Sequence, residues 1–241
     1  MTAMRNIRKS PQPKSLTKFL KMTDPKPTFL GMDEYTERDL KKSLYREQGG
    51  ICCYCMSPLE LEPGKCVIEH WQPKGRKKYP HRQLDYRNLM LSCTGGAIHD
   101  KNTKIKRRSA GMSGRTKKAQ REWMVHCDHA KGERELKFSP VEHSIEDGFA
   151  YDGKGMIRYE RDAGFNRQLE LVLNLNQKYL CEQRVEALET FRQLLVKRGH
   201  LGKREWLRLR EVYTRPGACG CFKPFCMVIV YYIDKKLRQF H

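Results

Sequence analysis

The chain has 241 residues, which is enough for one large domain or two small ones, and 48 Lys and Arg against 28 Asp and Glu give it a formal net charge of +20 at pH 7. Such an excess repels itself in a compact fold, so nucleic acid is expected as the partner and a membrane is not. No stretch has the pattern of a secretion signal, and the longest apolar run, residues 225–233, is too short to cross a bilayer. A cytoplasmic protein is therefore expected.

The N-terminal part is basic and contains several prolines. Residues 1–33 are interpreted as an extended arm with little core of its own. Residues 34–48 place Leu40 and Leu44 among charged residues, which predicts a short helix that ends at Gly49.

Two short strands are predicted in the next part of the chain. Residues 65–71 are expected to form a strand that ends in Glu69 and His70, and residues 88–91 a second strand or turn. Residues 94–125 are rich in Gly, Ser, Lys and Arg and are predicted to form an exposed loop, which is either a solvated insertion or a phosphate-binding element. Its candidate nucleic-acid-binding residues are Lys104, Lys106, Arg107, Arg108, Arg115, Lys117 and Lys118.

The sequence after residue 140 has ordinary globular character. A β-hairpin is predicted at residues 149–159 around Asp152-Gly153, and apolar residues at helical spacing predict a long helix from Asn176 to Gly199. This division gives three predicted units: the arm at 1–33, a central domain at 34–140 and a mostly helical region at 141–241. The apolar stripe of the helix indicates a core or a partner surface.

The 10 cysteines favour metal binding over disulfides, because no secretion signal is present. Cys52 and Cys55 have the spacing that lets two thiolates reach one tetrahedral ion, and Cys93 and Cys127 are their expected complement in a structural zinc site. Buried, unligated thiols are the alternative.

A second group of cysteines lies near the C-terminal end of the sequence. Cys219, Cys221 and Cys226 have no evident fourth ligand. They are therefore interpreted as small packing residues beside the apolar run at 225–233.

Several residues suited to phosphodiester hydrolysis lie between and just after the predicted zinc ligands. His70 is suited to be the general base, because an imidazole titrates near neutral pH. Glu69 and Asp128 offer hard oxygen ligands for Mg²⁺ or Mn²⁺, although His126 or His129 could replace Asp128. The simpler alternative is that His70 is a hydrogen-bonded core or surface residue.

The order of these residues resembles the HNH, or ββα-metal, nuclease family. The matching segments are Cys52-Cys-Tyr-Cys, Ile68-Glu-His-Trp-Gln-Pro, Tyr86-Arg-Asn-Leu, Leu91-Ser-Cys and His126-Cys-Asp-His-Ala-Lys-Gly. The resemblance implies an α+β fold with a small zinc-stapled ββα-metal nuclease core. It also implies that Asn88 braces the loop bearing His70 and that Lys131 contacts phosphate; otherwise Asn88 would simply cap a turn. Asp128 departs from the family, which usually has His or Asn at that position.

Further segments are similar to one subfamily, the PtuB-like nucleases of Septu-type and retron-associated anti-phage systems. They are Met4-Arg-Asn-Ile-Arg-Lys, Glu47-Gln-Gly-Gly-Ile-Cys-Cys-Tyr-Cys, Leu84-Asp-Tyr-Arg-Asn-Leu, Val172-Leu-Asn-Leu-Asn and Phe222-Lys-Pro-Phe-Cys. This resemblance implies an ABC-type ATPase of the PtuA kind as partner and, for retron-associated members, a reverse transcriptase with its RNA–DNA hybrid. It also implies that cleavage is held in check until infection. The region after residue 140 is expected to dock on the ATPase, so truncation before Phe165 should abolish binding.

Three functions are consistent with these features. A nuclease acting on DNA is favoured. The same site could instead act as a ribonuclease on tRNA, because the chemistry does not exclude a ribose. A zinc-ribbon protein that binds nucleic acid or assists assembly without catalysis is the third, and it predicts salt-sensitive binding without product.

Overall fold

The computed structural model describes residues 4–75, 79–96, 125–142 and 145–240, and these form a mixed α+β fold. The helices are α1 (Lys14–Phe19), α2 (Glu34–Gln48), α3 (Cys127–Lys131), α4 (Ala163–Leu171), α5 (Lys178–Arg198), α6 (Lys203–Thr214) and α7 (Cys226–Leu237). The strands are β1 (Cys66–His70), β2 (Leu89–Cys93), β3 (Phe149–Tyr151) and β4 (Ile157–Tyr159). Each sheet has two antiparallel strands, β1 with β2 and β3 with β4.

The predicted helix at residues 34–48 is confirmed as α2. The Asp33 side chain caps its first turn by accepting a hydrogen bond from the Thr36 backbone N–H at 2.9 Å. Leu40 and Leu44 are fully buried, and the helix ends at Gly49, whose φ of 58° lies in the left-handed region that favours glycine.

The N-terminal arm contributes more to the core than the sequence suggested. It contains helix α1, and the apolar side chains of Met4, Ile7, Leu16 and Phe19 are buried. The Ile7 backbone N–H also donates to the Pro140 carbonyl at 2.8 Å. The expectation of an extended arm with little core is therefore wrong for the described residues 4–33. Two pairs of apolar residues, each pair three positions apart, are buried and anchor the arm to the rest of the fold.

Strands β1 and β2 form the hairpin that positions the candidate site. Their register pairs Cys66 with Cys93 and His70 with Leu89. A 3₁₀ turn, Tyr86–Asn88, leads into β2 and therefore lies beside the end of β1. Helix α3 packs against β2. The expectation of two short elements at 65–71 and 88–91 is confirmed.

The C-terminal region packs on the same core as the rest of the chain. The predicted hairpin is present as β3 and β4, and the predicted long helix as α5. Buried apolar residues on both sides of residue 140 belong to one cluster. Backbone hydrogen bonds join the two parts, from Phe225 N–H to the Met56 carbonyl at 3.1 Å and from Cys127 N–H to the Leu173 carbonyl at 2.9 Å.

Among the helices formed by the described residues, none combines the length and the apolar character that crossing a membrane requires.

Candidate functional site

The four cysteines expected to bind zinc come together. The sulfur atoms of Cys52, Cys55, Cys93 and Cys127 all lie within 4.8 Å of one another. The distance between the Cys52 and Cys127 sulfurs is 3.9 Å, and that between the Cys55 and Cys93 sulfurs is 3.7 Å. A tetrahedral zinc ion with Zn–S bonds of about 2.3 Å has sulfur–sulfur edges of about 3.8 Å. The four side chains therefore fit a zinc ion.

The two halves of this cysteine cluster are joined across the basic insertion. The His126 backbone N–H donates to the Gly95 carbonyl at 2.9 Å, so the chain segments before and after the insertion meet next to Cys93 and Cys127. A Cβ atom at Gly95 would lie only 1.8 Å from the His126 carbonyl oxygen, which explains why glycine stands there. The wide sequence gap between the cysteine pairs is thus compatible with one site.

Burial and thiol–thiol hydrogen bonding set the charge of the cysteine cluster. Burial opposes ionisation of Cys55, but hydrogen bonds from Cys127 and Cys93 outweigh it and lower the pKa of Cys55 to about 6. The pKa of Cys127 is raised well above its ordinary value by burial and by hydrogen bonding to Cys52. His126 lies beside this cluster, with its Nδ1 at 3.1 Å from the Cys127 sulfur. The thiolate of Cys55, a form that can bind metal, is therefore accessible near neutral pH.

A cleft of about 480 Å³ is lined by residues of β1 and α3. Four of the sequence-predicted site residues line it: Glu69, His70, Asp128 and Lys131. The remaining walls include the exposed His129 and the side chains of Phe29, Lys41 and Lys74. Acidic, basic and imidazole groups are thus concentrated around one opening.

His70 is held in one orientation at the edge of the cleft. Its Nε2 lies 2.9 Å from the Gln83 carbonyl oxygen. Because a carbonyl can only accept, Nε2 carries the hydrogen of the neutral ring and Nδ1 is left as the basic atom. Burial, together with Lys74 and Lys131, lowers the pKa of His70 to about 4. The ring is therefore neutral near pH 7, as a general base must be.

Asn88 braces the segment that follows His70. The residue is fully buried, and its amide donates to the carbonyls of Gln72 and Arg82 at 3.0 and 2.9 Å. Its Oδ1 accepts from the Gln72 backbone N–H at 2.8 Å. These bonds connect the end of β1 to the turn that carries Gln83. The Gln83 carbonyl in turn holds the His70 ring in place.

Glu69 is buried between helix α3 and the cysteine knuckle, the name used below for residues 52–55. Its Oε1 accepts a hydrogen bond from the Tyr54 hydroxyl at 2.7 Å and pairs with the Lys131 ammonium at 2.8 Å. The same ammonium donates to the His70 carbonyl at 2.8 Å. Burial and the neighbouring Asp128 carboxyl raise the pKa of Glu69 to about 8, in spite of Lys131. This carboxyl therefore holds a proton more readily than an exposed glutamate.

Carboxylate oxygens such as those of Glu69 and Asp128 are ligands that Mg²⁺ and Mn²⁺ prefer. The two carboxylates repel each other when both are charged, and a bound cation would offset that repulsion. In the described parts of the chain, the four cysteines are the only closely grouped set of three or more metal-ligating side chains.

Neither a scan of protein-family models nor a search of curated proteins finds a match to this chain. The chemistry of the cleft and of the cysteine cluster is therefore the basis for a functional assignment.

Some expected contacts differ from the structure or lie beyond it. Lys131 is almost fully buried and faces Glu69, so its predicted phosphate contact would require the ammonium to move. The basic residues of the insertion lie outside the described residues: Lys104, Lys106, Arg107, Arg108, Arg115, Lys117 and Lys118.

Sequence reasoning missed three contributors to the site: Tyr54, Gln83 and Phe29. Phe29 places its ring edge-on to His70, with 4.5 Å between the ring centroids. Gln83 acts through its backbone carbonyl, which leaves no signal in the side-chain sequence. Tyr54 acts through its hydroxyl, which finds a hydrogen-bond partner as buried tyrosines usually do, but the sequence does not show which residue that partner is.

Proposed function

We propose that this protein is a metal-dependent HNH endonuclease that hydrolyses phosphodiester bonds in nucleic acid, with DNA as the favoured polymer. The placement of His70 supports this function most directly: a neutral imidazole with a fixed Nε2 hydrogen bond stands at a cleft beside two carboxyl groups. A second observation supports it: among the described residues, two antiparallel strands precede a helix that begins at Cys127, as expected for a zinc-stapled ββα core.

In this mechanism His70 Nδ1 takes a proton from the attacking water, and the Gln83 carbonyl keeps the ring in the required tautomer. Asn88 holds the segment on which that geometry depends. Asp128 and Glu69 would hold Mg²⁺ or Mn²⁺, which supplies positive charge against the leaving oxygen. The net charge of +20 favours binding of the polyanionic substrate.

The test uses purified full-length protein with supercoiled plasmid DNA and with total tRNA, in Mg²⁺, in Mn²⁺ or in EDTA. The proposal predicts metal-dependent nicking or linearisation of the plasmid, lost in His70→Ala. Cleavage restricted to tRNA would retain the site and change the polymer. Salt-sensitive binding with no product under any condition would contradict catalysis and favour a zinc-ribbon binding protein.

As an effector of an anti-phage complex, the protein would bind a PtuA-like ABC-type ATPase and, in retron-associated systems, a reverse transcriptase with its RNA–DNA hybrid. The cleavage assay should therefore be repeated with the ATPase present. Truncation before Phe165 is a poor test of docking, because Phe165 and Leu169 are fully buried and their loss would disturb the core. Charged substitutions at Val196 and Leu207, which are 82% and 49% exposed on α5 and α6, test the same contact without removing core residues.

A further inference from the structure

The loop before α7 carries two thiols that are not buried in the core. Cys219 is exposed and Cys221 is half-buried, whereas Cys226 is fully buried at the start of α7. The interpretation of all three as packing residues is thus wrong for Cys219 and holds for Cys226. Cys219 and Cys221 are separated only by Gly220, whose φ of 75° turns the chain back on itself.

The turn is closed by its own hydrogen bonds and brings the two cysteines together. The Gly217 N–H donates to the Cys221 carbonyl at 2.8 Å, and the Gly220 N–H donates to the Gly217 carbonyl at 2.9 Å. The Cys221 sulfur lies 3.7 Å from the Cys219 carbonyl oxygen. Hydrogen bonds from the Cys221 backbone N–H and thiol lower the pKa of the Cys219 thiol.

The same loop covers the start of the cysteine knuckle. The Cys221 sulfur lies 3.6 Å from the Tyr45 hydroxyl, and a Cβ at Gly50 would lie 3.1 Å from that sulfur. The Phe222 backbone N–H donates to the Gly49 carbonyl at 2.8 Å. A change at Cys221 therefore acts on the two glycines that precede Cys52.

We propose that Cys219 and Cys221 form a peroxide-sensitive thiol pair that closes to a reversible disulfide in the loop covering the cysteine knuckle. The Cys219 thiolate attacks hydrogen peroxide, which gives a sulfenic acid and, after protonation of the departing hydroxide, water. The Cys221 thiol then attacks the Cys219 sulfur, so that an S–S bond forms and a second water leaves. The two thiols together lose two electrons and one hydrogen peroxide gains them, so no other reactant is needed. This site does not depend on the proposed nuclease function.

The experiment treats the zinc-loaded full-length protein with increasing hydrogen peroxide, blocks the remaining thiols and locates modified cysteines by tandem mass spectrometry. We expect the Cys219–Cys221 peptide to lose two hydrogen atoms before any zinc is released, and dithiothreitol to restore it. Cys181→Ser, at a half-buried thiol elsewhere in the chain, is the matched control and should leave this behaviour unchanged.

Single variants separate the two steps. In Cys221→Ser the disulfide is lost and dimedone traps a sulfenic acid at Cys219, whereas in Cys219→Ser the rate of peroxide-dependent thiol loss from this loop falls at least about tenfold. Cys221→Ala repeats the first test if serine disturbs the packing on Gly50. Release of zinc before any change at Cys219, equal rates in wild type and Cys219→Ser, or binding of a second zinc ion by the pair would each overturn the proposal.

Discussion

The Tyr54 hydroxyl donates to Glu69 Oε1 over 2.7 Å and thereby connects the cysteine cluster to the cleft. Tyr54 stands between Cys52 and Cys55, and the other partner of Glu69, Lys131, is the last residue of the helix that begins at Cys127. Both partners of the buried carboxyl thus belong to segments that bear zinc-type cysteines. Metal at the cysteine cluster should therefore influence the geometry of Glu69.

Tyr54→Phe tests this connection. The substitution removes one donor from a buried carboxyl, which costs about 1–3 kcal/mol of stability and leaves the Glu69 side chain less well fixed. We expect weaker Mn²⁺ binding at the cleft by calorimetry, with zinc content unchanged. Tyr35→Phe, at a tyrosine that is 65% exposed on α2, is the matched control. Mn²⁺ affinity equal to wild type in Tyr54→Phe would show that the hydroxyl has no such effect.

Lys131→Met tests whether the ammonium competes with a divalent cation for Glu69. The Lys131 ammonium lies 2.8 Å from Glu69 Oε1, a position in which it repels a second cation. Removing it should strengthen Mn²⁺ binding, because the carboxyl oxygen becomes available, and should lower stability, because a buried partner is lost. Unchanged or weaker Mn²⁺ binding in a folded Lys131→Met protein would contradict competition. Lys137→Met, at an exposed lysine outside the cleft, serves as control.

Removal of zinc should destabilise the whole fold. The cysteine cluster joins the cysteine knuckle, β2 and α3. Because the unfolded chain has no preformed site, the free energy of zinc binding contributes to the stability of the folded state. We expect one zinc per chain by elemental analysis, and a large drop in melting temperature in Cys55→Ser or after chelation. Cys181→Ser should retain both zinc and melting temperature. A metal-free protein that melts like the wild type would rule out a structural zinc.

The pH dependence of stability should carry the signature of His70. Its pKa is lowered from 6.5 to about 4, so below pH 6.5 the unfolded chain binds a proton that the native protein does not bind until about pH 4. The contribution of His70 to the free energy of unfolding should fall by about 3 kcal/mol as the pH decreases through this window. Urea denaturation at several pH values measures the free energy of unfolding of His70→Asn and of the exposed His200→Asn. The difference between their pH dependences gives the contribution of His70. Equal slopes in the two variants would contradict a buried, neutral His70.

Arg184 offers a test of the core that does not involve the cleft. The residue is 1% exposed, and its Nη1 donates to the Gly155 carbonyl at 2.9 Å, while Nε and Nη2 lack hydrogen-bond partners within the described part of the chain. Arg184→Met keeps most of the volume and removes a buried charge, so stability should be unchanged or higher. Arg184→Ala should cost about 2–4 kcal/mol because it leaves a cavity. Equal losses in both variants would contradict this account.

The sequence predicted the elements whose patterns are local. Leu40, Leu44 and Gly49 defined α2, and their spacing marked Cys52 and Cys55 as metal ligands. Cys93 and Cys127 were expected to complete the site in spite of the long segment between them, and the structure brings all four together. Contacts between distant residues were not accessible in this way. The Lys131–Glu69 pair spans 62 positions, and only the β1–β2 register and the start of α3 at Cys127 bring the two side chains together. For the same reason the sequence did not predict the pairing of Lys131 with Glu69.

The most direct test of the proposed function is single-turnover cleavage by wild type, His70→Ala and the exposed His200→Ala, with Mn²⁺ and a labelled DNA or tRNA substrate in excess enzyme. A general base contributes about 10²- to 10⁴-fold, so we predict a loss of that size in His70→Ala, unchanged binding of the polymer, and no loss in His200→Ala. If His70→Ala cleaves as fast as the wild type, or if neither protein cleaves while both bind, His70 is not the base of a nuclease.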